Sequence, residues 1–174
     1  MIETPRLVLR SLRDEDLGPL FEIQGDREAM RYTYTAPSPE ECGRRLWEHE
    51  RTRAEHGFAP WVVALRSDAR VVGWGGLGVD PFAPGWGPEV SYFLHPAVWG
   101  RGIATEVVRA ALAHGFETHS LAVIGAFARP DNAASIRVLE KCGFRLLGWE
   151  QALERNRYEV RRLAGPVDPA KKGP

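Results

Sequence analysis

The stretch Glu89-Val90-Ser91-Tyr92-Phe93-Leu94-His95-Pro96-Ala97-Val98-Trp99-Gly100-Arg101-Gly102-Ile103-Ala104-Thr105 decides how this chain is read. It opens on a short apolar run, Glu89–Leu94, of strand length and closed by Pro96. It ends on an amphipathic pattern in which Ile103, Val107, Ala110, Ala111 and His114 recur at about 3.6 residues, which predicts a helix ending near Thr118. Between the two lie Gly100 and Gly102. Closely spaced glycines let successive backbone N–H groups turn inward as an anion-binding nest. The unpaired donors and the partial positive charge of a helix N-terminus act in the same direction, and Arg101 adds a full charge. A tight turn before a helix needs the same residues, so the segment alone leaves both readings open. It lacks a Walker lysine–serine pair and a third glycine, so a nucleoside triphosphate or a dinucleotide fits poorly, whereas a pyrophosphate fits.

Upstream, Pro60–Arg66 and Val71–Val79 are apolar runs joined by Ser67-Asp68-Ala69-Arg70, a hairpin pattern. The second run contains a literal GxGxxG, Gly73 to Gly78. A dinucleotide site needs such glycines to lead from a strand into a helix. Here they lead into the proline- and glycine-rich loop Asp80–Pro88, so they mark a bulge or a close backbone approach instead. Ser38-Pro39-Glu40-Glu41 predicts a helix start, with Ser38 as N-cap, Pro39 in the first position and Glu41 completing a capping box. That helix runs to His56, where Gly57 stops it. Arg6–Leu12 alternates like a half-buried strand, and Asp14–Gln24 follows as a helix weakened by Gly18 and Pro19.

Downstream, Leu121–Phe127 is a buried strand and Asn132–Cys142 a helix, with Gly143 in a left-handed cap and Phe144 as its hydrophobic contact. Phe144–Trp149 and Tyr158–Leu163 supply two late strands. The order is β-α-α-β-β-β-α-β-α-β-β. Three consecutive strands in the middle argue against a doubly wound nucleotide fold, which alternates strand and helix throughout.

Composition narrows the classes further. The chain has 174 residues, 44% of them hydrophobic, enough for one domain with a sizeable core. Lys plus Arg and Asp plus Glu balance at 23 each, so net charge favours neither nucleic acid nor an anionic membrane as partner. No stretch approaches the roughly 20 apolar residues of a membrane span, and the start MIETPRLVLRSL, which carries acidic Glu3 and lacks a long apolar core, is unlike a signal peptide. Cys42 and Cys142, the only cysteines, are expected as free thiols in a cytoplasmic protein. The five histidines show no ligand spacing, so no metal is expected. Residues 1–164 are expected to form one domain and 165–174, rich in proline and lysine, a disordered tail.

Three motifs in order carry a family resemblance. Pro96–Glu106 resembles the acetyl-CoA pyrophosphate loop of GNAT acetyltransferases, (Gln/Arg)-x-x-Gly-x-(Gly/Ala). Gly102 and Ala104 match, and Trp99 stands where the family has Gln or Arg. Asn132-Ala133-Ala134-Ser135 through Glu140-Lys141-Cys142-Gly143-Phe144 resembles the second signature. Thr4-Pro5-Arg6-Leu7-Val8-Leu9-Arg10 is similar to the opening of the ribosomal-protein N-terminal acetyltransferases. The resemblance implies an α/β fold with a mixed, mostly antiparallel seven-stranded sheet and helices on both faces. It also implies that the sheet splits between Glu89–Leu94 and Leu121–Phe127 to admit pantetheine.

The same resemblance implies direct attack of a neutral amine on bound acetyl-CoA, with an oxyanion donor from the backbone near Leu94. Cofactor contacts are expected from Phe93, Leu94, Trp99, Gly100, Arg101, Gly102, Ile103, Ala104, Thr105, Asn132 and Ser135. The tyrosine that protonates the thiolate in many relatives is replaced by Leu139. Ser135, one turn earlier on the same helical face, is therefore the expected acid, although a serine in a first helical turn also serves backbone donors. Glu89 and Glu154 are the candidate bases. Acceptors implied are a protein or peptide N-terminus first and a small amine or polyamine second. A non-catalytic acyl-CoA-binding module is the competing class. Oligomeric state stays open, a homodimer being the commonest assembly.

Overall fold

The computed structural model describes residues 1–162. Its strands are β1 (Ile2–Glu3), β2 (Leu7–Arg10), β3 (Trp61–Leu65), β4 (Val71–Gly78), β5 (Glu89–Leu94), β6 (Val123–Ala128), β7 (Arg145–Glu150) and β8 (Arg155–Arg161). They form one sheet in the order β1-β2-β3-β4-β5-β6-β8-β7, antiparallel throughout except where β5 meets β6. The α/β architecture expected from sequence is present with eight strands in place of seven. The extra strand, β1, is two residues long and pairs Ile2 with Leu9 and Glu3 with Val8. Two residues are too few to show a period, so only the pairing reveals it. The expected tail at 165–174, and Leu163 and Ala164 before it, lie outside the described residues.

Helices α1 (Leu17–Gln24) and α2 (Pro39–His56) cover one face, and α3 (Ile103–Ala113) and α4 (Ala133–Lys141) the other. Strand alternation divides the core accordingly. Val63, Leu77, Val90 and Leu94 pack with Val107, Ala111 and Leu139 of α3 and α4. Val62, Trp74 and Phe93 pack with Leu20, Ile23, Cys42 and Leu46 of α1 and α2. Cys42 and Cys142 thus belong to opposite layers, and both are free.

Local signals act as their chemistry requires, with one exception. Ser38 Oγ accepts from the Glu41 N–H at 3.3 Å, and Gly57 ends α2 at φ 81°. The capping box is only half formed, because the Glu41 carboxylate turns to the Arg44 guanidinium at 2.7 Å. Gly143 takes φ 85°, and the Phe144 N–H closes back on the Leu139 carbonyl at 3.0 Å. The glycines of β4 serve close approach, not phosphate binding. A Cβ on Gly73 would lie 2.6 Å from Leu94 Cδ2, and one on Gly75 2.7 Å from the Ser91 carbonyl oxygen. Their bareness seats β4 flush against β5, the strand that forms the wall of the site.

Candidate active site at the strand split

β5 and β6 run parallel but pair at one register, Glu89 with Gly125, where the Gly125 N–H donates to the Pro88 carbonyl at 2.9 Å. Beyond that pair the strands part. The gap opens into a cavity of about 380 Å³ walled by β5, the start of α3, the end of β6 and α4, a size typical of small-molecule sites.

One end is built from backbone. Gly100 and Gly102 take φ 71° and 77°, a left-handed conformation that side-chain-bearing residues adopt only with strain. Gly102 is the N-cap of α3. Among the described residues no carbonyl accepts from the N–H groups of Gly100 through Thr105, since the first such bond runs from Glu106 to Gly102. These donors are therefore free for an anion. The loop is braced from a distant segment. The Arg6 guanidinium pairs with Glu106 at 2.6 Å and donates to the Arg101 carbonyl at 2.5 Å, and Thr4 Oγ1 donates to Glu106 at 2.5 Å. The Thr4-Pro5-Arg6 opening thus has a physical task, holding the turn. The Trp99 indole N–H donates to the Leu94 carbonyl at 2.8 Å, a bond available to an aromatic N–H donor at this position.

In the middle, α4 faces β5. Asn132 is the N-cap of α4, its Oδ1 accepting from the Ser135 N–H at 3.1 Å. With capping done by Asn132, the Ser135 hydroxyl is available elsewhere. It accepts a hydrogen bond from the Tyr92 phenol at 3.2 Å. Burial pushes the Tyr92 hydroxyl up to about 12, so it keeps a proton to donate. With Tyr92 donating, the Ser135 proton is free to point into the cavity. Leu139 lines the same wall but is buried and apolar.

The other end is built from side chains. Glu89 is mostly shielded, and burial pushes its carboxyl up to about 7, with the charge of Asp80 adding to the shift and Arg155 opposing it. Tyr32, Phe127 and Arg155 share this end, and Trp86 packs edge-on against Phe127 with ring centroids 5.4 Å apart. Tyr34 does not join them; it lies under Arg45, its hydroxyl facing Glu41.

Of the residues singled out from sequence, Glu89, Phe93, Leu94, Trp99, Gly100, Gly102, Ile103, Ala104, Thr105, Asn132 and Ser135 line the cavity together. Arg101 contributes its carbonyl to the loop's brace but is not in the lining, and Glu154 is exposed in a turn at φ 50°, also outside it. Sequence reasoning missed Tyr92 and Arg155. Tyr92 carried a faint signal, a polar tip in alternation with buried Val90 and Leu94; Arg155 carried none. Among the described residues no cluster of three or more His, Cys, Asp or Glu could hold a metal, and no helix is long and apolar enough to cross a membrane.

Residues 6–145 match the family model described as an acetyltransferase (GNAT) domain. The chain is 29% identical over 151 residues to the uncharacterized N-acetyltransferase YoaA of Bacillus subtilis, covering 85% of this chain and 84% of YoaA. Its fold is similar to the crystal structure of an acetyltransferase from Agrobacterium tumefaciens, at TM-score 0.80 and 22% identity over 92% of this chain and 94% of the other. It is similar as well to RimL, a ribosomal L7/L12 alpha-N-protein acetyltransferase in complex with coenzyme A, at TM-score 0.75 and 18% identity, over 91% and 95% of the two chains.

Proposed function

Because the chain belongs to the GNAT acetyltransferase family, we propose that it carries acetyl from acetyl-CoA to a primary amine through this cavity, with a protein or peptide N-terminus as first acceptor class. One observation carries the reading: free backbone donors, a phenol-supported serine and a carboxyl near neutrality line a single cavity where the sheet splits. The acceptor class draws its support from the similarity to RimL. The donors of Gly100–Thr105 suit the pyrophosphate of acetyl-CoA, whose thioester supplies the activated acetyl group.

Alternation along β5 sets the direction of approach. Val90 and Leu94 belong to the α3–α4 layer and Phe93 to the α1–α2 layer, so Tyr92 shares the former face and Glu89 the latter. Acetyl-CoA enters from the α3–α4 face, the amine from the α1–α2 face, and they meet through the split. Glu89, balanced between its two protonation states near neutral pH, accepts the proton of the amine. Backbone N–H groups of β5 freed by the missing β6 partner hydrogen-bond the developing oxyanion. Ser135 directs its hydroxyl proton to the departing thiolate while Tyr92 holds its oxygen in place. Glu154, exposed and outside the lining, is the weaker candidate for the base.

The test is thiol release from acetyl-CoA with a panel of primary amines, beside a thermal melt with acetyl-CoA alone. At one hundred times the dissociation constant the ligand stabilises the fold by about 2.7 kcal/mol. Thiol release with at least one amine is expected. A second reading, a non-catalytic acyl-CoA-binding module, has one observation in its favour: apolar Leu139 at the position of the usual tyrosine. It predicts the melting shift without thiol release from any amine. Absence of both overturns the two readings together.

A further inference from the structure

Four arginines among the described residues are half-buried: Arg10, Arg45, Arg53 and Arg155. Three have evident partners. Arg10 clamps Asp16 at 2.6 and 2.7 Å, Arg53 binds Glu50 at 2.6 and 3.1 Å, and Arg45 stacks on the rings of Tyr34 and Phe82 at 4.2 and 4.0 Å. Arg155 has one long contact, Nη2 to the Tyr32 carbonyl at 3.5 Å, beyond the range of a good hydrogen bond. Among the described residues no carboxylate lies within 4.0 Å of it. Yet Arg155 lines the cavity, and burial works against its charge. A guanidinium taken partly out of water with most of its donors unused is costly unless something supplies acceptors.

The surroundings say what that something is. Among the described residues Glu89 is the only acidic one in the cavity wall, with the charge of Asp80 felt from outside it, against Arg31, Arg129, Arg137, Lys141 and Arg155. Glu89 feels the charge of Arg155 but is not paired with it, so it does not satisfy the guanidinium. Such a wall repels a polycation. An acceptor that places an amine at Glu89 therefore meets an unpartnered planar fork beside it, at the same end of the cavity. A guanidinium fork matches a carboxylate in two parallel hydrogen bonds.

We propose that Arg155 is the anion-recognition residue of the acceptor site, and that the acceptor is a primary amine carrying a carboxylate close to the amino group. The inference rests on the reading above that the amine enters at Glu89, and it narrows that reading: a free amino acid or a peptide with an acidic first residue fits, and a polyamine does not. Arg155 stands at the first position of β8, directly after the tight turn that ends at Glu154, and its contact to Tyr32 joins that turn to the segment between α1 and α2. The anion site is thus made where two segments far apart in sequence meet at the cavity wall.

Matched acceptors test this with the full chain and acetyl-CoA. The pairs are an amino acid against its amide and an aspartate-first peptide against its asparagine-first counterpart, with spermidine as the polycation. In the pair that represents the true source, kcat/KM is expected to favour the carboxylate member by roughly 10–100-fold, the effect of hydrogen bonds to a charged group. Arg155→Gln should bring that ratio close to one, mainly through KM, and Arg155→Lys should leave it intermediate, since the charge survives and the fork does not. Equal use of both members of each pair, a preference for spermidine, or an unchanged ratio in Arg155→Gln would overturn the assignment. Transfer to no amine at all would instead sink the acetyl-transfer reading. In that event thermal shift by the carboxylate compounds decides the anion site: stabilisation of the wild type but not of Arg155→Gln supports it, and no stabilisation of either overturns it.

Discussion

The two ends of the cleft are made of different material. At the α3 end the functional groups are consecutive backbone N–H donors of one turn, Gly100 to Thr105, held open by two left-handed glycines. At the Glu89 end they are side chains from widely separated segments: Tyr32 before α2, Glu89 on β5, Phe127 on β6 and Arg155 on β8. A backbone site is specified by local conformation, tolerates side-chain drift such as Trp99, and is alike wherever the turn recurs. A side-chain site depends on the whole fold to converge, and its residues can change without disturbing the glycine turn. The first end suits a constant ligand, the second a ligand that differs from one relative to the next.

Three further experiments probe that contrast, beginning with the largest effect. Glu89→Gln should lower the acetylation rate by roughly 10²–10⁴-fold with little change in acetyl-CoA affinity. In the wild type the base must be ionised, so the rate should rise through pH about 7 as the buried carboxyl loses its proton, and that limb should vanish in the variant. Stability should move the other way. Between the ordinary carboxylate value and about 7 the folded chain holds a proton that the unfolded chain has lost, so stability falls as pH rises through this window, by something on the order of 3 kcal/mol. Melting temperatures of Glu89→Gln should accordingly vary less between pH 5 and pH 8 than those of the wild type. Wild-type activity and an unchanged pH profile in the variant would remove Glu89 from the mechanism.

Next in size is the middle of the cleft, where the two kinds of construction meet. Ser135→Ala should reduce kcat by roughly 10–10³-fold. Tyr92→Phe, which removes the donor that orients Ser135, should reduce it by a smaller factor of about 10, the value of one hydrogen bond. In the double variant the two losses should not add, because the phenol acts through the serine. Additive losses would show that Tyr92 acts on the reaction independently of Ser135.

The smallest effect on the chemical step belongs to the backbone end. Gly102→Ala should weaken acetyl-CoA binding by up to about 10-fold, because a Cβ in the left-handed region costs roughly 1–2 kcal/mol that the free turn sheds by relaxing and the bound turn cannot, while kcat at saturating acetyl-CoA stays near wild type. Gly102→Val should abolish the acetyl-CoA melting shift altogether. A variant with normal affinity and a lowered kcat would show that the turn shapes the reacting centre and not only the phosphate end.

Where local chemistry is decisive, the residues announce the structure. Ser38-Pro39, Gly57 and Gly143-Phe144 mark helix ends because capping is settled within a few residues, and Glu89–Leu94 coincides with β5 residue for residue. The literal GxGxxG in β4 reads correctly as close approach because the proline-rich loop after it forbids a helix. Where a partner lies far along the chain, the sequence is mute. The two-residue β1 exists only through its pairing with β2. The Glu41 carboxylate had two local options, and the neighbouring arginine prevailed over the backbone.

The residues alone specify the order of every strand and helix but β1, the glycine turn before α3, and through three ordered motifs the family. Each depends on backbone conformation or periodicity, which neighbours within a turn or two control. It took the folded chain to show that the Tyr92 phenol supports Ser135, that Arg6 braces the glycine turn through Glu106, that Glu154 stays outside the cavity, and that Arg155 lines it with no carboxylate partner among the described residues. These facts concern side chains brought together across strands and loops, and their protonation and hydrogen bonding are set by burial and charge, quantities that come into being only when the chain has folded.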